Sequence, residues 1–446
     1  MSALSQDRVG IVRALVEAAP DSAVRSLEAA LRGESAGGTL SSVKSIVTQE
    51  MNDRLVRDAV LEPLMPLFSP RADGIEQLQF PKAAINTLWR ALKQDRPDET
   101  AYAASLPARR YEEDATPPIY DELCVLAARG LRAGRGPFAE VGDLLRAYRP
   151  GADAELIAFL DLAPIGRRAL RQLPAWIARS TEEQQAAARL MFKDAGVIAE
   201  DAGPRLMEIL FAHLAEPWVV LRLMSALMLK PSDGFAAVSE LADFGERFLR
   251  DIDSRLAALK AFDYDGGALA GRQAADALRM AAAIASEFEQ ALKVKRDGPW
   301  GERLAKQKQM LAAAAESHLK KTLKVIGEAL PQQPVRSPGR ASRLEPDLTA
   351  PPDPSAVRRA MALLHFFAGI RTVAAQSGYG VVRAKAQEEI AKGLDAYLED
   401  LLQVLHEGDS EPMDHARQFL EIAADFTALV HDEKTAQIVR RRAAAA

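Results

Sequence analysis

Residues 304–330 read LAKQKQMLAAAAESHLKKTLKVIGEAL. Leu304, Leu311, Ala315, Leu319, Leu323, Ile326 and Leu330 recur at steps of three, four or seven, which puts them on one face of an α-helix. Lys, Gln, Glu and Ala fill most of the remaining positions, and these residues lose little or no rotamer freedom in a helix. Two earlier segments share the pattern. Leu241, Phe244, Phe248, Ile252, Leu256 and Leu259 form one stripe, and Leu278, Ala281, Ala285, Phe288 and Leu292 form another at the 3,4,3,4 period of a coiled-coil seam. Asp263-Tyr-Asp-Gly-Gly267 and Arg296-Asp-Gly-Pro299 interrupt the stripes with turn residues, and Pro299 suits a first helical position. Residues 236–330 therefore read as three long antiparallel helices.

The helical pattern continues on both sides. Upstream, apolar residues keep i, i+3/i+4 spacing over Val9–Val16, Val24–Leu31, Ser41–Leu61, Pro81–Leu92, Ile119–Leu131 and Phe138–Tyr148. They do so again over Ala154–Leu162, Leu173–Ala178, Glu182–Phe192, Pro204–Leu214 and Trp218–Leu229, with Pro and Gly between. Short helices joined by short loops stack as a bundle or an α-solenoid, so residues 1–235 are expected to form a helical array. Residues 331–354 carry seven prolines in 24 positions without an apolar period and read as a linker, extended or disordered. Ala356–Ala375, Val382–Leu405 and Met413–Val439 then predict a C-terminal helical bundle over 355–446. No segment alternates as a half-buried strand does. The expectation is an all-α, elongated, multi-domain chain.

Composition narrows the function classes. The 446 residues are 48% hydrophobic with 6% aromatics, enough apolar mass for sizeable cores and rich in the good helix formers Ala and Leu. A net charge of −5 gives no overall pull toward nucleic acid or an anionic membrane. The single cysteine, Cys124, excludes an internal disulfide and a thiolate cluster, and its apolar helical stripe predicts a buried thiol. The start, MSALSQDRVG, has no charged n-region or apolar h-region, and the greasiest stretches fall short of the about 20 apolar residues a span needs. A cytoplasmic location without a membrane span is expected.

Motifs for chemistry are sparse. The chain lacks GxxxxGK[ST], a strand-borne GxGxxG, GxSxG and HExxH, so no catalytic residue, cofactor or metal is assigned. Gly266-Gly267 before a helix offers amides to an anion or simply a turn. His406-Glu-Gly-Asp-Ser-Glu-Pro-Met-Asp-His415 gathers two imidazoles and four carboxylates, yet its Glu-Pro step reads better as a helix start than as a metal loop. Thr116-Pro-Pro-Ile-Tyr120 has the PPxY form that WW domains read, and serves equally as a helix entry. An Ala/Arg-rich composition points to a bacterial source, where such readers are not expected.

Two short stretches resemble parts of known helical families. Glu216-Pro-Trp-Val-Val-Leu-Arg-Leu-Met-Ser-Ala-Leu and Asp21-Ser-Ala-Val-Arg-Ser-Leu-Glu-Ala-Ala-Leu each look like the second helix of a HEAT repeat over about a dozen residues, without a constant repeat period. Leu364-His-Phe-Phe-Ala-Gly-Ile370 has the HxxxG spacing of histidine-phosphotransfer domains, which resemble residues 355–446 in size and helical content. That resemblance implies His365 as phosphoacceptor and Gly369 as the clearance for a partner's active site. Ala368 departs from the Lys usual there, and Leu363, Leu364, Phe366 and Phe367 favour burial instead.

Charge singles out the third long helix. From Lys293 to Lys324 nine Lys or Arg side chains stand against three acids, Asp297, Glu302 and Glu316. Lys306, Lys308, Lys320, Lys321 and Lys324 must largely point outward, since an unpaired ammonium is costly to bury. The reading is a non-catalytic scaffold or adaptor that meets acidic protein surfaces through these lysines. One alternative is phosphotransfer-like signalling through His365. The other is polyanion or nucleic-acid binding through helix 299–330, although the net charge makes nucleic acid a poor general partner.

Overall fold

The computed structural model describes residues 6–32, 39–106, 116–178, 180–228, 236–237, 239–335, 343–375, 378–407 and 413–445. The fold is all-α: 81% of the chain is helical, and the strands described form only a two-stranded sheet. The chain divides into two compact units, Met1–Leu229 and Lys230–Ala446.

In the first unit, α1 (Gln6–Ala18), α2 (Asp21–Arg32) and α3 (Thr39–Val60) share a core of Val16, Val24, Ile46 and Val47. A 3₁₀ segment, Glu62–Phe68, leads on to α4 (Lys82–Asp95) and α5 (Pro97–Ser105). Then come α6 (Pro118–Ala133), α7 (Phe138–Tyr148), α8 (Ala152–Ile177), α9 (Glu182–Ile198), α10 (Ala202–His213) and α11 (Val220–Leu227). Helix α8 packs against α6, α7, α9, α10 and α11 and organises the unit. The sequence predicts two segments there, Ala154–Leu162 and Leu173–Ala178. The structure has one helix that contains Pro164 and Pro174. Each internal proline costs about 3 kcal/mol, whereas burying one large apolar side chain returns about 1.5–3 kcal/mol. Leu156, Phe159, Leu160, Ile165, Leu173 and Trp176 are all buried, so packing wins.

Helix ends in this unit are finished by distant arginines. Carbonyls of the last turn have no intrahelical partner. Arg54 donates to the Val16 and Glu17 carbonyls at 3.1 and 3.3 Å, and Arg167 to those of Ala59 and Val60 at 2.9 and 2.5 Å. Arg71 reaches Phe211 O and Leu214 O at 3.0 and 2.8 Å, and Arg189 reaches Ala226 O at 2.8 Å. The guanidinium fork suits this task because its donors are planar and always charged.

The second unit begins its long helices with α12 (Ala242–Lys260), α13 (Gly267–Leu292) and α14 (Gly301–Ala329). Strands β1 (Gln332–Val335) and β2 (Arg343–Pro346) follow, then α15 (Pro354–Gly369), α16 (Arg371–Ala374), α17 (Gly380–Glu407), α18 (Met413–Val430) and α19 (Glu433–Ala445). The proline-rich stretch lies inside this unit rather than between two units. Its described part is an antiparallel ladder that pairs Gln332 with Pro346 and Val335 with Arg343, a pairing that a missing alternation does not reveal. Residues 336–342 of the expected linker lie outside the described residues.

The three-helix segment is not closed on itself. Helix α13 makes its most extensive contact with α15, from the expected C-terminal bundle. Gly271 explains the closeness: a Cβ there would overlap the Ala362 carbonyl oxygen and sit 3.0 Å from the His365 Cβ. The expected Met413–Val439 helix is also two helices. Asp432 breaks it, accepting from the Thr435 amide at 2.8 Å and the Thr435 hydroxyl at 2.9 Å, as an N-cap does.

Candidate functional site

The basic helix divides into two halves with different surroundings. Toward its start Arg303 and Lys308 are taken up by neighbouring acids, while Lys306 between them is exposed. Arg303 pairs with Glu246 at 3.0 Å and Asp253 at 2.6 Å on α12, and Lys308 is half-buried beside Glu289 of α13 at 2.6 Å. Trp300 donates its indole N–H to Glu246 at 2.7 Å, which fixes the start of α14 against α12.

Toward its end α14 presents lysines to solvent. The side chains of Lys320 and Lys324 are 71% and 82% exposed, and Lys321 is exposed as well. Lys320 lies 3.7 Å from Glu316 and Lys324 3.8 Å from Glu328, both i,i+4 neighbours on the same helix. Such surface pairs contribute only about 0.3–0.5 kcal/mol, so they leave the ammonium groups free to change partner. Lys321 lies over the Tyr264 ring, 5.7 Å from its centroid.

Beneath this end sits an aromatic cluster that periodicity alone does not disclose. Tyr264 donates its hydroxyl to His318 Nδ1 at 2.8 Å, and His318 Nε2–H donates to Leu259 O at 3.0 Å. A carbonyl can only accept, so Nε2 carries a proton, and in the neutral ring Nδ1 is left to accept from the Tyr264 hydroxyl. Phe262 lies 5.0 Å from Tyr264, 5.3 Å from His318 and 5.7 Å from Phe366. Burial pushes the His318 pKa down; the Leu259 hydrogen bond opposes this and Lys321 adds to it. The cluster anchors the lysine-bearing end of α14 to α12 and α15. Signals for it existed in Phe262, Tyr264 and His318, but their pairing spans more than 50 residues and no local period connects them.

His365 is half-buried on α15, and burial, then Arg272, lowers its pKa. Gly369, one turn later, faces α13: a Cβ added there would lie 2.6 Å from the Ala275 Cβ. The clearance that the phosphotransfer resemblance reserves for a partner is thus taken by this chain's own helix.

The other motifs fall into structural places. Tyr120 and Ile119 of the PPxY stretch are buried in α6, where Pro118 sits in the first turn. Cys124 is buried and donates to Val60 O at 3.2 Å, and burial pushes its thiol up to about 12. Gly267 has φ +65°, a value that favours glycine at this turn, and Arg358 packs over it. His415 donates Nδ1–H to Leu348 O at 2.9 Å, His406 is exposed, and residues 408–412 between them lie outside the described residues. Among the described residues no group of three or more His, Cys, Asp or Glu could hold a metal ion, and no helix is long and apolar enough to cross a membrane.

No protein-family model, curated protein or solved structure matches the chain.

Proposed function

We propose that the chain is a non-catalytic interaction protein whose lysine-bearing end of α14 docks an acidic protein surface. The observation that carries this reading is the exposure of Lys320, Lys321 and Lys324 on a helix end whose other face is locked in place by the His318 cluster. An exposed cationic face suits charge-complementary docking, which acts chiefly on association rate and partner choice. A small ligand prefers a concave site. The packing of Gly369 against Ala275 favours this reading over phosphotransfer at His365. Polyanion binding would use the same lysines, so the test must separate the two.

A photo-crosslinking amino acid at position 320 of the full-length protein, activated in cells, provides that test. The expected result is discrete protein adducts that survive nuclease treatment and are lost in the Lys321→Glu, Lys324→Glu double variant at unchanged melting temperature. Nuclease-sensitive adducts would replace the reading with polyanion binding. Acid-labile phosphate on His365 would replace it with signalling.

A further inference from the structure

A second candidate site lies in the first unit, far in character from the lysine face. Two adjoining cavities, of about 740 and about 340 Å³, share Glu17, Glu50, Asp53 and Lys93 and so form one groove. One wall is a continuous stripe of α3: Ser41, Lys44, Ser45, Thr48, Gln49, Asn52 and Val56. The facing wall is Asn86, Trp89, Arg90, Lys93 and Gln94 of α4 over the smaller cavity, and Arg13 and Glu17 of α1 with Ala104 of α5 over the larger. The Lys93–Asp53 ion pair links α4 to α3 at 2.8 Å, and Glu50–Arg54 joins neighbours on α3 at 2.7 Å.

Three features together describe an occupant. First, Trp89 is 3% exposed and lines the groove, yet its indole Nε1 has no acceptor among the described residues. A buried donor without an acceptor is uncommon and calls for an explanation. Second, the lining carries six basic side chains (Arg13, Lys44, Arg54, Arg57, Arg90, Lys93) against three acidic ones (Glu17, Glu50, Asp53). Asp21 and Asp58 behind Arg54 and Arg57 reduce this excess without cancelling it. Third, the α3 stripe from Ser41 to Val56 is about 22 Å long at 1.5 Å per residue. An extended peptide rises about 3.3 Å per residue, so six or seven residues fill that length. A compact solute would leave most of it empty.

We propose that the groove along α3, faced by α1 at one end and by α4 at the other, binds an extended acidic peptide that passes over the Trp89 ring. Hydroxyls and amides along α3 then meet the peptide backbone, and Arg90 and Lys93 flank its carboxylates.

The test uses the full-length protein labelled with ¹⁵N at its indole nitrogens. The Trp89 resonance is assigned by its absence from the Trp89→Phe spectrum. Blocked hexaglutamate is titrated at low salt, with blocked hexalysine and tripolyphosphate as separate arms. Hexaglutamate is expected to move the Trp89 resonance saturably, hexalysine to leave it unmoved, and Arg90→Glu to weaken hexaglutamate at least tenfold. Arg90 is exposed, so this variant keeps the fold. A Trp89 resonance that hexaglutamate does not move overturns the proposal. An equal response in the Arg90→Glu protein, or a response to tripolyphosphate alone, overturns it too.

Discussion

Replacing Gly271 by Ala sets two effects of opposite sign against each other. In a helix interior Gly is worse than Ala by about 1 kcal/mol, so propensity alone predicts stabilisation. The packing predicts loss. The new methyl would overlap the Ala362 carbonyl oxygen and lie 2.9 Å from its carbon, and these are backbone atoms of α15 that cannot rotate away. Relief requires α13 and α15 to separate by about 1 Å, a gap that forfeits up to about half the dispersion well of each contact it opens. Overpacking of this kind costs about 1–3 kcal/mol, and a rigid neighbour places the cost near the top of that range. The net expectation is a loss of about 2 kcal/mol. In a unit of this size that lowers Tm by about 4–8 °C. Gly393→Ala in α17 is the control, because nothing lies within 4 Å of its added Cβ. It should gain about 0.5–1 kcal/mol, or about 1–4 °C. Both are read by thermal unfolding under one set of conditions. A Gly271→Ala protein that melts at or above the parent would refute the close approach of α13 and α15.

Arg167→Met should cost about 3 kcal/mol. The thioether refills volume but leaves the Ala59 carbonyl without its donor and unpairs Asp121 and Glu62. Urea unfolding followed by tryptophan fluorescence in a Trp300→Phe background reads the first unit alone, and a loss below about 1 kcal/mol would show the guanidinium to be dispensable. His213 and His318 are both held below the ordinary 6.5 by burial, so the unfolded chain binds the extra protons. Their contribution is complete above about pH 6.5 and is lost as the pH falls through that value toward the folded pKa. The slope of urea midpoint against pH between 7 and 5 should flatten in a His213→Gln, His318→Gln protein, and an unchanged slope would assign the pH dependence to other groups. A protease site inserted after Val335 should give two pieces that co-elute after cutting, because α13 and α15 stay packed together; separate elution would show that they form independent domains.

Much of the fold was legible because most helices bury one face and the 3.6-residue period records it. Leu319, Phe248 and Phe288 are buried as their stripes require. What escaped was set by partners far away in sequence. Pro164 reads as a break because local propensity cannot weigh the burial of α8 against the cost of a proline. Gly369 reads as room for a partner, whereas it and Gly271 serve the contact between α13 and α15. In the lysine region the outward residues at 320, 321 and 324 followed from the cost of burying charge. The tie of Lys308 to Glu289 did not, since it depends on which helix lies alongside. The α3–α4 groove left no trace at all. Its Arg54, Arg57 and Trp89 look like ordinary helix residues until two helices about 30 positions apart are brought face to face.

The distant arginine caps have a consequence for how the chain is made. The Ala59 carbonyl in the last turn of α3 waits for a side chain 108 residues further on. At a ribosomal rate of about 5–20 residues per second, roughly 5–20 s pass before Arg167 is even polymerised. During that interval the end of α3 is bonded to water, and a nascent-chain chaperone meets a helix whose final turn is still unfinished.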